Sequence, residues 1–301
     1  MKNAAVINND DFHATMEYAW KVSFLSLMRP AIRDELVLDG ACSFSRELPG
    51  FLRDNWGSLS DCTIIDPFRL GWLLDLLFTV QSTEGDIVEC GAFRGGSSIL
   101  MALALQKLSV NKVIHVFDSF QGLPDPHINK DKGYKRGQFK ADYDACITRI
   151  RDLGLEHIIR VHKGWFADTI KDFLASSPTK ISLLHIDCDL YTSTKDCFSL
   201  FYPFVSPSGV VVLDDFNDGG RGEKTAVLEL MIGHRELFHV GPAPQCFFRK
   251  GEYCKSQGSI FTDGGFDYDL AKLFQDTDYI TWLNKLLQGN YRDYFNRFLS
   301  K

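Results

Sequence analysis

Two short apolar segments of the sequence each end abruptly in aspartate. Segment 181–186 precedes Asp187, and segment 210–213 precedes Asp214 and Asp215. Apolar runs this short are typical of buried parallel strands. Because open α/β sheets bind ligands outside the carboxyl ends of their strands, we expect these carboxylates to share one crevice. Carboxylates about 4 Å apart repel by roughly 4 kcal/mol at an effective dielectric constant of about 20. The pattern therefore predicts a bound cation, and Mg²⁺ held by carboxylates, water and substrate oxygens is the natural choice.

Asp187 and Asp189 follow the same predicted strand, and their roles have to be distinguished. Side chains alternate along a strand, so only one of Asp187 and Asp189 faces the metal if the strand continues. We assign Asp187 to the metal and Asp189 to the cap of the following helix. His185 is interpreted as a core histidine with satisfied hydrogen bonds.

A glycine-rich turn follows the first predicted strand. Residues 86–98 read DIVECGAFRGGSS, and such a strand-to-helix turn binds an adenosine cofactor in Rossmann-type folds. A dinucleotide fingerprint needs Gly-x-Gly, but Phe93 occupies the position of the second glycine. The charge of Glu89 would repel a pyrophosphate, and it suits a ligand that carries an ammonium and a sulfonium. The turn therefore favours S-adenosylmethionine over a dinucleotide.

The next two strands add to the predicted cofactor pocket. The second strand ends in Asp118, whose carboxylate is expected to accept hydrogen bonds from the ribose hydroxyls; a simple helix cap is the alternative. Gly164 and Trp165 follow the third strand. An adenine ring would lie there, although Trp165 is equally compatible with the core.

Strands and helices alternate from residue 86 onward. Strands are predicted near 86–91, 112–118, 158–163, 180–187 and 208–214, and helices near 96–108, 141–153, 166–176, 192–204 and 222–233. Segments 236–241 and 245–250 are predicted to form a closing hairpin. The fold class is therefore α/β: a Rossmann-like, doubly wound, mostly parallel seven-stranded sheet with a C-terminal antiparallel hairpin and helical appendages at both ends.

The predicted domains follow from the same periodicity. Apolar spacing predicts a long helix over 11–38 and another over 66–80, and aromatic residues cluster over 279–298. We divide the chain into an N-terminal helical lid (1–60), a cofactor-binding catalytic domain (61–252) and a C-terminal helical extension (253–301). Exposed apolar stretches of this extent are typical of interfaces, so a homo-oligomer is expected.

Composition excludes several classes of partner. The 301 residues carry a net charge of −6, whereas nucleic-acid binding needs a basic surface. The basic stretch from Lys130 to Lys140, which includes Asp131, is typical of a solvated loop. No apolar run approaches the ~20 residues that span a bilayer, and the first residues lack a signal-peptide core. The eight cysteines are scattered without a CxxC pair, which predicts buried, reduced thiols. A cytoplasmic protein with no membrane or nucleic-acid partner is expected.

Five ordered motifs resemble the macrocin O-methyltransferase family. They begin at Glu89 (ECGAFRGG), Asp118 (DSFQGLP), Lys163 (KGWFADT), Asp187 (DCDLYTST) and Val211 (VVLDDF). The resemblance covers about residues 60–250. It implies a metal-dependent, S-adenosylmethionine-using enzyme that methylates sugar or phenolic hydroxyls of natural products.

The resemblance also implies roles for individual residues. Asp187, Asp214 and Asp215 match the family's Mg²⁺ ligands, and Asp187 is the suspected general base. Taken with the turns described above, the predicted cofactor pocket comprises Glu89, Gly91, Ala92, Gly95, Gly96, Ser97, Asp118, Ser119, Gly164 and Trp165. The expected acceptor is a hydroxylated small molecule, with a sugar vicinal diol favoured and a catechol- or phenol-type acceptor as the alternative.

Two other classes of protein use the same fold. A nicotinamide-dependent oxidoreductase would require Gly-x-Gly and a Tyr-x-x-x-Lys or histidine proton relay, and neither is evident in the sequence. A non-catalytic cofactor-binding protein would not require clustered carboxylates, whose burial without a cation is costly.

Overall fold

The computed structural model describes most of the chain between residues 51 and 253. The described residues are 51–52, 54–65, 67–176, 180–216, 222–232, 234, 236–240, 244–253, 261–262 and 265–266. The predicted helix over 11–38 and the aromatic stretch over 279–298 lie outside them. The lid, the C-terminal extension and the oligomer surface therefore stay predictions.

Five parallel strands alternate with helices, as the sequence predicts. The strands are β1 (Asp86–Cys90), β2 (Ile114–Asp118), β3 (Ile159–Lys163), β4 (Ile181–Ile186) and β5 (Val205–Leu213). The helices are α1 (Pro67–Thr79), α2 (Gly96–Leu108), α3 (Tyr143–Asp152), α4 (Phe166–Ser176), α5 (Tyr191–Phe201) and α6 (Gly222–Leu230). The helix predicted near 192–204 ends in a 3-10 turn, Tyr202–Phe204, because Pro203 lacks the N–H that would continue the α-helical ladder.

The sheet has the order β3-β2-β1-β4-β5-β7-β6, with β6 (Glu236–Val240) and β7 (Cys246–Tyr253) at one edge. Strands β1 to β5 are parallel neighbours. Strand β7 pairs antiparallel with β5 and with β6, so the predicted hairpin is confirmed. A separate pair of short strands, β8 (Phe261–Thr262) and β9 (Gly265–Phe266), lies outside this sheet.

The two faces of the sheet are buried in two separate hydrophobic cores. Ile87 and Leu183 belong to the core that contains α1 and α2. Their neighbours Val88 and Leu184 belong to the core that contains α4 and α5. Successive strand residues point to opposite faces, and helices cover both, so these strands are apolar throughout rather than alternating.

The residues before α1 belong to the same packed unit. Leu52 and Leu59 are fully buried in the core that contains α1 and α2. Leu52 and Leu59, which the sequence analysis placed in the predicted lid, thus pack against α1 and α2, and the domain boundary at residue 60 stays a prediction. Among the described residues, no helix is long and apolar enough to span a bilayer. The six described cysteines are buried and free of disulfides, as expected for reduced thiols.

Candidate active site

A cavity of about 310 Å³ opens at the carboxyl edge of the sheet, where open α/β folds bind ligands. Its walls come from the turns after β1 to β5, the start of α1 and the connection between β2 and α3. Most of the predicted site residues line it: Gly91, Ala92, Ser97, Asp118, Ser119, Gly164, Trp165, Asp187, Asp214 and Asp215. The fold therefore joins the predicted cofactor turns and the predicted metal ligands in one space.

The turn after β1 brings the two halves of the site into contact. Gly91 has a φ of +91°, and a Cβ built on it would lie 1.8 Å from the carbonyl oxygen of Asp187. The N–H of Asp187 donates to the carbonyl of Cys90 at 2.8 Å. Because only glycine combines this φ with so close a backbone approach, Gly91 lets the β1 turn and the carboxyl end of β4 lie side by side.

Substitution Gly91→Ala is expected to destabilise the fold more than the matched change Gly154→Ala. Gly154 also has a positive φ, +68°, but a Cβ there meets nothing within 4 Å. Gly154→Ala should cost only the left-handed strain of about 1–2 kcal/mol. Gly91→Ala adds a steric overlap, which typically costs a further ~1–3 kcal/mol. Urea unfolding measures both, and equal losses of unfolding free energy would contradict the close approach.

The Asp118 carboxylate organises the cofactor side of the cavity. Its Oδ2 atom accepts hydrogen bonds from the N–H groups of Ala92 at 2.8 Å and Phe93 at 2.9 Å. Its Oδ1 atom accepts from the N–H of Phe120 at 2.6 Å. Burial, opposed in part by these hydrogen bonds, raises the pKa of Asp118. Asp118 thus ties the β1 turn to the β2 turn and also lines the cavity.

Three of the predicted cofactor residues do not line the cavity. Glu89 is fully buried, accepts a short hydrogen bond from the Ser98 hydroxyl and faces His185. Gly95 is the N-cap of α2, with a φ of +85°. A Cβ on Gly96 would lie 2.6 Å from the Thr63 Cβ, so this glycine serves close packing. Glu89, Gly95 and Gly96 thus pack behind the residues that line the cavity. Direct contact between these three residues and the cofactor stays a prediction.

The three predicted metal ligands converge. Asp187, Asp214 and Asp215 each present a carboxylate oxygen, and these oxygens lie within 4.8 Å of one another. Burial, followed by the negative charges of Asp214 and Asp215, holds the pKa of Asp187 well above its usual range. A hard divalent cation bound through oxygen atoms is the species that such a donor set accommodates.

The charges around the cluster also fit a divalent cation. Burial disfavours the charged form of Asp214, but Arg69 and His185 outweigh it and lower the pKa of Asp214 to about 2. Burial and the Asp215 charge raise the pKa of Glu223, whose carboxylate accepts the N–H of Asp215 at 3.1 Å. Arg69 and His185 thus offset part of the negative charge of the aspartates. The raised pKa values of Asp187 and Glu223 show that negative charge remains in excess, and a divalent cation would neutralise it.

His185 links the cofactor side of the site to the metal side. Its Nδ1 atom lies 2.9 Å from Glu89 Oε1, and its Nε2 atom lies 3.5 Å from Asp214 Oδ1. Burial opposes its protonation, but Asp214 and Glu89 raise the pKa of His185 to about 10. The residue is a buried core histidine, as interpreted from sequence, but its hydrogen bonds are only partly satisfied: Nδ1 has a partner in Glu89, whereas Nε2 has none among the described residues and lies only within ion-pair distance of Asp214.

The assignment of Asp189 as a helix cap is wrong. Leu190 is the N-cap residue of α5, and the N–H of Tyr191 donates to Asp131 Oδ1 at 2.9 Å. Asp189 lines the cavity, and its Oδ1 atom accepts the Tyr134 hydroxyl at 2.7 Å. The alternation rule fails because β4 ends at Ile186 and Asp189 adopts a left-handed conformation with φ of 59°.

The interpretation of the basic stretch as a solvated loop is also incomplete. Asp131 is buried and accepts backbone N–H groups of His127, Tyr191 and Gly222. It therefore fixes the loop between β2 and α3 to the first residues of α5 and α6. The sequence shows no signal for this role, since the partners lie 60 and 91 positions away along the chain.

Other cavity residues were missed by sequence reasoning. Arg69 of α1 lines the cavity and forms a short ion pair with Asp214. The signal available was that Arg69 is the only basic residue in the largely apolar stretch of α1, PFRLGWLLDLLFT, whose other charged residue is Asp75. Several further missed residues are largely apolar and come from the segment before α1 and the loop after β2: Thr63, Ile64, Ile65, Leu123, Pro124 and Phe139.

Comparison with known proteins identifies the family. The sequence profile of the macrocin O-methyltransferase family (TylF) matches residues 54–227, which is more than half of the chain. The chain belongs to this family. The resemblance drawn from the five motifs is therefore confirmed, and the prediction of an O-methyltransferase is confirmed at the level of the family.

Two relatives illustrate the similarity. The chain is 31% identical over 180 residues to the 8-demethyl-8-(2,3-dimethoxy-alpha-L-rhamnosyl)-tetracenomycin-C 4'-O-methyltransferase of Streptomyces olivaceus, a match covering 56% of this chain and 67% of that protein. It is 36% identical over 146 residues to the demethyldecarbamoylnovobiocin O-methyltransferase of Streptomyces niveus, covering 45% and 54% respectively. The chain thus spans two thirds of the first relative and about half of the second.

Solved structures confirm the fold class. The O-methyltransferase NovP superposes with a TM-score of 0.55 at 28% identity, covering 63% of this chain and 82% of NovP. The calicheamicin methyltransferase CalS11 superposes with a TM-score of 0.56 at 20% identity, covering 84% and 99% respectively. The chain therefore has the Rossmann-like methyltransferase fold that its sequence predicts.

Proposed function

We propose that the protein is an S-adenosylmethionine- and Mg²⁺-dependent O-methyltransferase that methylates a sugar hydroxyl of a natural-product glycoside. The observation that carries the proposal is the convergence of Asp187, Asp214 and Asp215 in the cavity that also contains the β1 turn and Asp118. The relative from Streptomyces olivaceus, which is named for O-methylation of a rhamnosyl tetracenomycin, supports the choice of acceptor.

The cofactor site follows from the order of the strands. Asp118 lies at the end of β2 and lines the cavity, and we propose that its carboxylate accepts the ribose hydroxyls, as acids at this position do in Rossmann-type folds. Gly164 and Trp165 after β3 would contact the adenine ring. The adenosine would therefore lie over β2 and β3, and the sulfonium methyl would point toward the carboxylates that follow β4 and β5.

The reaction breaks the sulfur–methyl bond, forms an oxygen–methyl bond and releases the hydroxyl proton, for which Asp187 is the proposed acceptor. Holding the two reactants in line supplies roughly 7–11 kcal/mol, and a positioned general base adds roughly 10²–10⁴-fold. A sugar hydroxyl is a very weak acid, and bound Mg²⁺ would lower its pKa and fix its direction of approach. Asp187, Asp214 and Asp215 would hold that ion.

The loop after β2 is proposed to support the metal side of the cavity. Asp131 accepts the N–H groups of Tyr191 and Gly222, and the Tyr134 hydroxyl donates to Asp189. These hydrogen bonds would hold the loop after β2 against the metal side of the cavity. That loop contributes Leu123, Pro124 and Phe139 to the wall. An apolar wall beside a carboxylate cluster would exclude water from the acceptor hydroxyl and favour methyl transfer to the acceptor over hydrolysis.

The proposed function is tested first by ligand binding and then by turnover. Calorimetry on the full chain is expected to detect S-adenosylhomocysteine and no NAD; the reverse result would favour an oxidoreductase and contradict the proposal. With S-adenosylmethionine and Mg²⁺, a panel of rhamnosides and other glycosides with vicinal diols should yield a product heavier by one methylene group. A set of catechols and simple phenols serves as the contrast. Turnover confined to the phenols would overturn the choice of a sugar acceptor.

A further inference from the structure

Asp131 joins three elements beside the metal side of the cavity. Its Oδ1 atom accepts the N–H groups of Tyr191 at 2.9 Å and Gly222 at 3.1 Å, and its Oδ2 atom accepts the N–H of His127 at 2.7 Å. Tyr191 and Gly222 are the first residues of α5 and α6, and His127 belongs to the loop between β2 and α3. One buried carboxylate therefore bridges this loop and the first turns of two helices.

The bridge fits the electrostatics of the two helices. The first N–H groups of a helix have no partner within the helix. The N-cap residue of α5 is Leu190, whose apolar side chain cannot accept a hydrogen bond. Because helix dipoles place partial positive charge at N-termini, the starts of α5 and α6 together stabilise the buried negative charge of Asp131. Asp131 thus acts as a cap that a distant segment of the chain supplies to both helices.

The packing around this carboxylate is tight. A Cβ built on Gly222 would lie 2.2 Å from Asp131 Oδ1 and 2.3 Å from the Cβ of Tyr191. A second layer of contacts joins the same elements. The Nζ atom of Lys130 lies 3.6 Å from the centre of the Tyr191 ring and 2.6 Å from Oε1 of Glu229, which belongs to α6. The loop after β2 therefore fixes the starts of α5 and α6 relative to each other.

Each of these helix starts is close to a predicted metal ligand. Tyr191 lies four positions after Asp187 in the sequence. In the first turn of α6, Glu223 accepts the N–H of Asp215 at 3.1 Å. A shift of either helix start would therefore move a carboxylate of the cluster. Mg²⁺ needs its oxygen ligands at about 2.0–2.1 Å in near-octahedral geometry, so small changes in their spacing would weaken binding.

We propose that Asp131 is a positioning residue that sets the spacing between Asp187 and Asp215 and thereby the affinity of the site for its metal. The inference rests on the proposed function, because it assumes that the aspartate cluster binds a divalent cation. Asp131 lies behind the cavity wall rather than in it. It acts on the metal through the starts of α5 and α6 and does not coordinate the ion.

The test separates the charge of Asp131 from its hydrogen bonds. Asp131→Asn removes the charge but keeps Oδ1 as an acceptor for the two helix starts. Gly222→Ala keeps the charge but pushes the carboxylate out of place, and Asp131→Ala removes both. Asp142→Ala is one matched control, because the exposed Asp142 caps only its own helix, α3. Gly57→Ala is the other, because a Cβ on that helical glycine meets nothing within 4 Å.

Two affinities are measured on the full chain of each variant. Electron paramagnetic resonance gives the affinity for Mn²⁺, and calorimetry gives the affinity for S-adenosylhomocysteine. Melting temperatures confirm folding. The second ligand reports on the opposite side of the cavity, since most of the predicted cofactor residues follow β1, β2 and β3. A change confined to Mn²⁺ therefore distinguishes positioning of the metal ligands from a general loss of structure.

The expected result is a selective loss of metal affinity. Asp131→Ala and Gly222→Ala should each weaken Mn²⁺ at least ~10-fold, the low end for groups that support metal ligands. Asp131→Asn should stay within about threefold of the wild type, because an amide oxygen offers two acceptor lone pairs. Affinity for S-adenosylhomocysteine should change less than about threefold throughout, as for distant sites. Both control variants should bind Mn²⁺ within about twofold of the wild type.

Four outcomes would overturn the inference. If the wild type binds Mn²⁺ and Gly222→Ala binds it equally well, the bridge does not set the spacing, and the proposed function stands. If Asp131→Asn loses as much affinity as Asp131→Ala, the charge rather than the position of Asp131 is responsible. If Mn²⁺ and S-adenosylhomocysteine weaken together, Asp131 supports the fold as a whole. If the wild type does not bind Mn²⁺, the proposed function fails and the inference fails with it. Comparison of Asp131→Asn with Gly222→Ala decides the question even if Asp131→Ala does not fold.

Discussion

Asp187→Asn is expected to reduce turnover at least ~10²-fold, the low end for loss of a general base. The amide preserves the volume and one oxygen ligand, but it cannot take up the proton of the substrate hydroxyl. The affinity for S-adenosylhomocysteine should change by less than tenfold, because most of the predicted cofactor residues follow β1, β2 and β3. Single-turnover kinetics with saturating S-adenosylmethionine measures the chemical step separately from binding.

Asp189→Asn is the matched control for that experiment. Asp189 lines the same cavity, and an asparagine there can still accept the Tyr134 hydroxyl, so turnover should fall less than tenfold. The structure brings both carboxylates to the cavity, which makes the comparison decisive for the identity of the base. If Asp189→Asn abolishes turnover and Asp187→Asn spares it, Asp189 is the base and Asp187 serves the metal alone.

Removal of the metal is expected to abolish turnover. EDTA should eliminate product formation, and Mg²⁺ in excess should restore it, because uncompensated carboxylates at 4.8 Å or less repel one another and leave the acceptor hydroxyl unactivated. Mn²⁺ binding followed by electron paramagnetic resonance gives a readout that does not depend on an acceptor. Asp214→Asn should weaken Mn²⁺ at least ~10-fold, since even changes in the groups that support a ligand typically cost 10–100-fold.

The metal experiment also separates ligand loss from loss of the base. High Mg²⁺ should rescue much of the turnover of Asp214→Asn but little of that of Asp187→Asn. Asp125→Asn, at an exposed ion pair, is the surface control and should bind Mn²⁺ like the wild type. Full turnover in EDTA would contradict metal dependence and leave the aspartate cluster a structural role.

Sequence reasoning succeeded where the physical signal is local. Short apolar runs predicted β4 and the end of β5, because a strand covered by helices on both faces has no polar side, and the alternation of strands and helices predicted β1 to β3. The carboxylates at the ends of β4 and β5 were then brought together by a general property of parallel sheets, that their carboxyl ends lie at one edge. The glycine turn after β1 was located because a close backbone approach requires glycine at such a position.

It failed where a side chain's role depends on a distant partner. Arg69 pairs with Asp214 across 145 positions of the sequence, and Asp131 reaches Tyr191 across 60. Glu89 and His185 are neighbours because β1 and β4 pair directly in the sheet although β2 and β3 lie between them in the chain. None of these pairs has a local pattern, since each arises only after the strand order is established.

The sequence by itself determined the fold class, the edge of the sheet that forms the site and the three acids that converge there, because periodicity and the residues at strand ends act over a few positions. Only the tertiary structure decided the direction of Asp189, the burial of Asp131 and the pairing of Arg69. The left-handed backbone of Asp189 breaks the alternation on which its assignment relied. Arg69 and Asp131 acquire their roles through contacts between segments that only the packed fold brings within hydrogen-bonding distance.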